Sequence, residues 1–122
     1  EVVNLKIREI KPFVPAKDVE CSKRFYQLIG FELVSEFGDI AYFKLGACSF
    51  LLQDFYKPVH SNNFMMHLLV EDAQHWYEHI QTLNLTEEFD TKVTELIVQP
   101  WGTLEFCVTD PSGVLWRIAE NK

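Results

Sequence analysis

The sequence predicts an α+β fold in which two βαβββ modules pair and their curved mixed sheets form a cleft. First, each half of the chain shows a strand, an amphipathic helix behind an aspartate, and further strands with apolar side chains at alternate positions. Second, a half is too small to bury both faces of a curved sheet alone. Third, the halves correspond in sequence at Asp18 with Asp72, Phe25-Tyr26 with Trp76-Tyr77, and Gly46 with Gly113.

The first module is predicted to span residues 5–54. Residues 5–14 have the mixed pattern of an edge strand, because Pro12 and Pro15 cannot donate hydrogen bonds to a sheet. Asp18 is a suitable N-cap for a helix that ends at Gly30. Glycine turns separate the remaining strands, which are predicted at residues 31–37, 40–45 and 48–53.

A polar, proline-containing linker is predicted at residues 55–63, and the second module at residues 64–120, so that residues 1–122 form a single domain. Asp72 is the N-cap of its helix, which presents an apolar stripe that includes Trp76 and Ile80. A weak strand is expected around Phe89. The other strands of this module are predicted at residues 64–70, 96–98, 103–109 and 114–119.

Composition restricts the class of partner. The chain has 122 residues and a net charge of −7, which argues against nucleic acid because phosphate binding needs a basic surface. No apolar run reaches the roughly 18 residues of a membrane span, and the first residues lack the layout of a signal peptide. Cys21, Cys48 and Cys107 are odd in number and far apart, which favours reduced thiols. We therefore expect a cytoplasmic protein with no nucleic-acid or membrane partner.

Residues 101–121 provide the first candidate for a site. They predict two strands joined by the turn Asp-Pro-Ser-Gly at residues 110–113. The alternation of the strands places Glu105, Cys107, Leu115 and Arg117 on one face. Charged groups among apolar ones on a strand face are costly unless they line a cavity or reach solvent. This mixed face is therefore a candidate site.

Two segments resemble the glyoxalase/bleomycin-resistance/dioxygenase family, the vicinal oxygen chelate superfamily. They are DVECSKRFYQLIGFEL at residues 18–33 and QPWGTLEFCVTDPSGVLWRI at residues 99–118. The bleomycin-resistance subgroup is the most similar, through Pro12, Pro15 and Asp18 at the start, Trp101-Gly102, and Arg117 in the last strand. The resemblance implies paired βαβββ modules, a homodimer that often exchanges its N-terminal strand, and ligand crevices near the subunit interface.

Enzymes that belong to this superfamily often hold a divalent metal with His and Glu ligands on the first and last strands of each module. In this sequence the corresponding positions are Lys11, Met65, Leu51 or Leu52, and Arg117. Cations and apolar side chains cannot chelate a cation, so we expect neither a metal nor a cofactor. His75 and His79 are spaced i, i+4, as in some zinc sites, but are predicted to lie on the solvated face of their helix.

Aromatic side chains give the main argument for function, because planar ligands stack on rings and cations sit over their faces. Trp101 is the first choice, since it precedes Gly102 in a loop-like position. The resistance proteins typically carry a tryptophan where this chain has Asn63, so a ligand smaller than bleomycin is expected. The aromatic candidates for ligand contact are Phe13, Tyr42, Phe50, Phe64 and Trp101.

Three polar side chains complete the candidate binding residues, and each has a structural alternative. His67 lies on the same strand face as Met65 and is either a ligand contact or a hydrogen-bonded core histidine. Glu105 and Arg117 lie on neighbouring strands and either hold the strand register as an ion pair or bind a polar ligand group.

Two functions follow from these residues. The first is a metal-independent binding protein that sequesters an aromatic, possibly cationic compound such as an antibiotic in a cleft near the dimer interface. The second is a metal-free lyase, isomerase or hydrolase that uses His67 and Glu105 as acid and base. A ligand-sensing or structural module that works only as a dimer is a third alternative.

Overall fold

The computed structural model describes residues 2–122, and Glu1, the first residue of the predicted domain, lies outside the described residues. In chain order the elements are β1 (Phe13–Ala16), α1 (Val19–Ile29), β2 (Glu32–Phe37), β3 (Ile40–Leu45), β4 (Cys48–Asp54), α2 (Pro58–Ser61), β5 (Met65–Leu69), α3 (Ala73–Thr82), α4 (Leu85–Glu88), β6 (Ile97–Val98), β7 (Thr103–Thr109) and β8 (Leu115–Asn121).

The strands form two mixed sheets of four strands, in the orders β1-β4-β3-β2 and β5-β8-β7-β6. Strand β1 pairs with β4, and β5 with β8, in parallel; the other pairs are antiparallel. Each sheet therefore has the same order relative to its module, which confirms the predicted α+β fold of two βαβββ modules. Strand β1 lies at a sheet edge, as its prolines predict.

The two long helices begin at the predicted aspartates. The Asp18 side chain accepts a hydrogen bond from the backbone N–H of Cys21 at 3.2 Å, and Asp72 accepts one from His75 N–H at 2.9 Å. Each bond satisfies an N–H that has no partner within its helix. Gly30 follows α1 with φ +131°, a conformation that a residue with a side chain rarely adopts, and so ends the helix as predicted.

Two expectations about local structure, a strand over residues 5–12 and one around Phe89, are wrong. The first strand starts at Phe13, and residues 2–12 form no strand because no neighbouring segment of the chain pairs with them. The expected linker at residues 55–63 contains the short helix α2. Around Phe89 the structure has helix α4 instead of a strand, since Leu85 and Phe89 are both buried at the i, i+4 spacing of one helical turn.

One hydrophobic core lies between the helices and the inner faces of the two sheets. At its centre the Tyr26 hydroxyl donates to Asp110 Oδ2 at 2.5 Å and accepts from Trp116 Nε1 at 2.9 Å. Burial raises the pKa of Asp110, and it raises that of Tyr26 far above its usual range. These bonds connect α1 with the turn between β7 and β8, so the core joins the two modules.

Within residues 2–122, the outer face of the second sheet is left uncovered, and that of the first is covered only in part by the segment before β1. Phe13 on the first sheet is 51% exposed, and Met65 and Leu69 on the second are 54% and 55% exposed. The predicted cleft therefore needs something other than this chain to close it. None of the helices within residues 2–122 has the length and apolar character to cross a membrane.

Candidate functional site

The outer face of the second sheet brings most of the predicted polar residues together. Strand β8 lies between β5 and β7, and Arg117 is in register with His67 on one side and with Cys107 on the other. Period-2 alternation then fixes which neighbours share this face. We call it the arginine face, and it consists of Met65, His67, Leu69, Glu105, Cys107, Leu115 and Arg117.

Glu105 and Arg117 form the ion pair that the sequence suggested. Arg117 Nη2 donates to Glu105 Oε1 at 2.5 Å, and the Thr103 hydroxyl donates to Glu105 Oε2 at 3.1 Å. Glu105 is only 3% exposed, whereas the Arg117 side chain is 27% exposed. The hydrogen bond to Glu105 raises the pKa of Arg117. The carboxylate is thus buried beneath a guanidinium that still reaches solvent.

Trp101 lies at the border of the arginine face. It sits in the short turn between β6 and β7, where Gly102 has φ +97° and its N–H bonds to the Gln99 carbonyl at 3.0 Å. The ring is 62% exposed, and the Arg117 guanidinium lies 5.5 Å from its centroid. An exposed indole beside a guanidinium is a surface on which a planar ligand can stack.

His67 and Glu105 do not form an acid–base pair. His67 is exposed on β5, and β8 lies between β5 and β7. Two strand-to-strand spacings therefore separate the backbones of His67 and Glu105, which is about 10 Å. The carboxylate of Glu105 is bonded to Arg117 and Thr103 instead. His67 is therefore placed to touch a ligand on the arginine face, but not to exchange a proton with Glu105 directly.

Cys107 lies in the middle of the arginine face but is not activated as a nucleophile. Burial raises the pKa of its thiol, and the negative charge of Glu105 raises it further. Reactive cysteines need the opposite shift, because the thiolate is the attacking species. Beside this thiol and Glu105 lies a cavity of about 410 Å³ that Thr94, Ile97 and Gln99 also line.

The outer face of the first sheet carries a second cluster, built around Glu9. Glu9 accepts hydrogen bonds from the Tyr42 hydroxyl at 2.6 Å and from the Ser49 hydroxyl at 2.5 Å. These bonds, with a weaker contribution from Lys11, lower its pKa to about 2. Lys11 Nζ lies 4.8 Å above the ring of Tyr42, and Phe13 is on the same face. We call this outer surface the arm face.

Two predicted aromatic contacts lie elsewhere. Phe50 is 1% exposed in the core, stacked on Phe43 and edge-on to Tyr26. Phe64 shares the inward parity of Met66 and packs against the core edge next to His60. Strand alternation explains both positions, because residues one step away from an outward side chain point inward. Sequence reasoning missed Glu9, Ser49 and Thr103. Alternation with Leu51 could have identified Ser49, but nothing local signals Glu9.

A comparison with family models explains this architecture. The model of the Glyoxalase/Bleomycin resistance protein/Dioxygenase superfamily matches residues 7–118. The chain belongs to this superfamily. A sequence comparison with curated proteins found no significant match.

Solved structures of the superfamily resemble the whole chain. A bleomycin resistance determinant encoded on the transposon Tn5 has a TM-score of 0.81 and 21% identity, over 93% of this chain and 98% of that chain. The bleomycin-binding protein from Streptomyces verticillus, solved with copper(II)-bleomycin, has a TM-score of 0.77 and 21% identity, over 98% and 100%. An antibiotic-binding protein from Streptomyces sp. CB03234 has a TM-score of 0.75 and 20% identity, over 98% and 100%.

The side chains at the expected metal-ligand positions of the superfamily do not fit a metal here. Lys11, Met65 and Arg117 occupy three of these positions, and either Leu51 or Leu52 the other. None of these side chains supplies an anionic or imidazole ligand. Within residues 2–122, no three His, Cys, Asp or Glu side chains come close enough to hold an ion together.

The helical histidines do not form a shared site either. His75 Nδ1 lies 3.1 Å from Asp72 Oδ2, and His79 Nε2 lies 2.7 Å from the carbonyl oxygen of Ile29. Both side chains are exposed on α3, as the helix pattern predicts. Each imidazole therefore has its own neighbour, and neither faces the arginine face.

Proposed function

We propose that this chain sequesters a small aromatic compound, such as an antibiotic, on the arginine face, without a metal and within a cleft that a second copy of the chain completes. The ligand stacks on Trp101 and accepts hydrogen bonds from Arg117. His67 and the exposed thioether of Met65 complete the contact surface. Such a mixture of apolar area with a few placed polar groups is typical of small-molecule sites.

The observation that carries this proposal is the arrangement of Trp101 and Arg117. Arginine has five N–H donors. Within residues 2–122, Arg117 uses one nitrogen for Glu105 and makes one weak contact of 3.9 Å with the sulfur of Met65. The remaining donors are held in a fixed position by the ion pair and lie next to an exposed indole. A ring that carries an acceptor oxygen fits both groups at once.

The charge of the ligand is the part of the sequence-based hypothesis that we revise. The net charge of −7 attracts cations over long range. At short range, however, Arg117 already lies over Trp101 and Lys11 over Tyr42. A cationic ligand on either ring would be repelled by the positive charge of that side chain, so the contacts favour a neutral ring with acceptor oxygens.

The homodimer rests on exposed apolar surface. Met65 and Leu69 are about half exposed on the arginine face, and Phe13 on the arm face. Exposed apolar surface of this kind marks interaction sites. The N-terminal arm adds to it, with exposures from 73% to 93% at Val2, Val3, Leu5, Ile7 and Ile10. We propose that the arm packs on a second copy and that the arm face of one subunit covers the arginine face of the other.

The similar structures support this proposal. One is a bleomycin-binding protein complexed with bleomycin, with a TM-score of 0.80 and 21% identity, and another is described as an antibiotic-binding protein. At this level of identity the likeness establishes the fold, and the ligand has to be argued from the side chains of this chain.

Tryptophan fluorescence tests the ligand site. The full chain is titrated with bleomycin, and with the neutral and cationic forms of one smaller ring system. We expect saturable quenching with at least one of them. Trp101→Leu should weaken binding about tenfold, which corresponds to the loss of one stacking contact of about 1.4 kcal/mol. Trp76→Phe is the matched control, because Trp76 lies on α3. Equal affinity of Trp101→Leu and the native chain, or no saturable response to any probe, would refute the proposed site.

Light scattering tests the dimer separately. The native chain should have the mass of two copies at micromolar concentration, and removal of residues 2–8 should shift it towards one copy. Glu9 and its bonds to the arm face stay in place in this variant. A native chain that remains monomeric would refute the dimer but leave the ligand titration interpretable.

A further inference from the structure

A second cavity, of about 390 Å³, lies where the two modules meet. It is formed by residues from the segment before α1, the linker, the segment at residues 90–92, and the turn between β7 and β8. Its lining includes none of the residues of the arginine face or the arm face. The side chains that matter for its chemistry are Lys17, Asn62, Asp90, Thr91, Lys92 and Ser112.

Lys17 and Lys92 line the cavity together with Asp90 and Asp110, so its formal charges balance although the chain as a whole is acidic. Neither Lys17 nor Lys92 forms an ion pair within residues 2–122. The Lys17 ammonium lies 5.7 Å from the ring centroid of Tyr56. Of the two lining carboxylates, Asp90 is exposed to solvent. The other, Asp110, has both oxygens bonded, one to Tyr26 and one to backbone N–H groups.

Two hydroxyl groups in the lining donate no hydrogen bond within residues 2–122. Ser112 is 4% exposed, and its Oγ accepts from the backbone N–H of Lys17 at 2.8 Å, but within residues 2–122 its proton is donated to nothing. Thr91 Oγ1 is buried and has no hydrogen-bond partner in the described part of the chain. Buried polar groups without partners are costly, and an absent acceptor is a common explanation for them.

The linker meets the wall of the cavity at Asn62. A Cβ added at Gly113 would lie 2.6 Å from Asn62 Oδ1, which is the end of an exposed side chain. Gly113 also has φ +95°, which disfavours any side chain. The turn between β7 and β8 therefore keeps a glycine next to the linker.

From these groups we propose that the cavity binds a small oxyanion, which is the phosphate or carboxylate group of a metabolite. Lys17 and Lys92 supply the positive charge, and the Ser112 hydroxyl donates a hydrogen bond to an anion oxygen. The two lysines lie in segments that are 75 residues apart in sequence. An anion between them links the two modules, so binding stabilises the folded chain.

Thermal denaturation of the full chain tests this site. Inorganic phosphate is compared with acetate and with chloride at equal ionic strength, which separates specific binding from screening. We expect phosphate or acetate to raise Tm above its value in chloride. Lys17→Gln and Lys92→Gln should each weaken binding about tenfold, as expected for the loss of one charged contact. Lys44→Gln is the matched control, since Lys44 is exposed on β3 and lies outside this cavity.

Two results would overturn the proposal. The first is an equal Tm in phosphate, acetate and chloride. The second is a phosphate effect that Lys17→Gln and Lys92→Gln both retain in full, because the anion would then bind somewhere else. Since the two lysines lie on different segments, one variant remains informative if the other fails to fold. Phosphate also stabilises folded proteins through a general salt effect, which both lysine variants retain. The part of the Tm increase that Lys17→Gln and Lys92→Gln remove reports on the site, and its size in phosphate relative to acetate distinguishes a phosphate group from a carboxylate.

Discussion

Two carboxylates, Asp110 and Glu105, are nearly equally hidden from solvent but have different partners. Asp110 is completely buried, and its partners are neutral donors, namely the hydroxyl of Tyr26 and two backbone N–H groups of its own turn. Those donors come from α1 and from the turn between β7 and β8. The carboxylate of Asp110 is therefore a connection between distant parts of the core, and burial raises its pKa.

Glu105 has a charged partner that points outward. It is 3% exposed, but the guanidinium above it is partly open to solvent and lies against the exposed ring of Trp101. Burial of a carboxylate therefore does not by itself identify its role. A carboxylate satisfied by neutral donors in the core supports the fold, whereas one that fixes an accessible cation supports a surface that can bind a ligand.

The largest expected effect is that of Asp110→Ala on stability. The substitution leaves three buried donors without an acceptor, each costing about 1–3 kcal/mol. We expect the free energy of unfolding, measured by urea denaturation, to fall by about 3–5 kcal/mol. Asp110→Asn keeps an acceptor oxygen and should lose less. A loss below about 1 kcal/mol for Asp110→Ala would show that the core cluster does not connect the modules.

Tyr26→Phe should have a smaller effect on the same cluster. It removes the donor to Asp110 Oδ2 and the acceptor of the Trp116 indole N–H, while the aromatic ring and its packing remain. We expect a loss of about 2 kcal/mol in the free energy of unfolding. The double variant with Asp110→Asn should lose less than the sum of the two single variants, because both act on one bond. Strict additivity would contradict the shared cluster.

Glu105→Gln should cost much less stability than Asp110→Ala, and it should also weaken binding. Arg117 can turn to water when its partner is neutral, so we expect a loss of only about 1–2 kcal/mol in the free energy of unfolding. The guanidinium is then no longer fixed beside Trp101, and binding of the proposed aromatic ligand should weaken about tenfold. The titration by tryptophan fluorescence measures the second effect. If Glu105→Gln lost as much stability as Asp110→Ala and kept its ligand affinity, Glu105 would support the fold and not the binding surface.

The comparison also shows what the sequence can reveal. Helix caps at Asp18 and Asp72 and the strand face of Glu105, Cys107 and Arg117 follow from local spacing, and the structure has them. Asp110 was readable only as a turn residue, because its partner Tyr26 is 84 residues away in sequence. Long-range contacts of this kind leave no local pattern.

Strand aromatics show a related difficulty. The spacing of Phe50 and Phe64 does not tell which face is inward; Phe50 is buried in the core, and Phe64 is only partly buried against it. Glu9 could not be predicted as a site residue from the sequence, for another reason. Its partners Tyr42 and Ser49 lie on two other strands, and only the path of the arm brings it to them.

The smallest expected effect is the pH dependence of Glu9, which should have the opposite sign to that of Asp110. The pKa of Glu9 is lowered from 4.5 to about 2 by hydrogen bonds from Ser49 and Tyr42. A lowered pKa stabilises the folded state above the unfolded value, and this contribution is lost as the pH falls from 4.5 towards 2. The pKa of Asp110 is raised by burial, so at neutral pH the folded state is penalised for holding Asp110 ionised rather than protonated. This penalty disappears as the pH falls through its folded pKa towards the usual 3.8.

Urea denaturation from pH 7 to pH 3 separates the two carboxylates. The stability advantage of the native chain over Glu9→Gln should shrink as the pH falls below about 4.5, because the native side chain becomes protonated in the unfolded state first. The native chain should gain stability relative to Asp110→Asn over the same acidic range. If both differences change in the same direction, then one of the carboxylates is not held as described. A shift for Glu9 alone would mean that Asp110 keeps its charge in the core through its three donors.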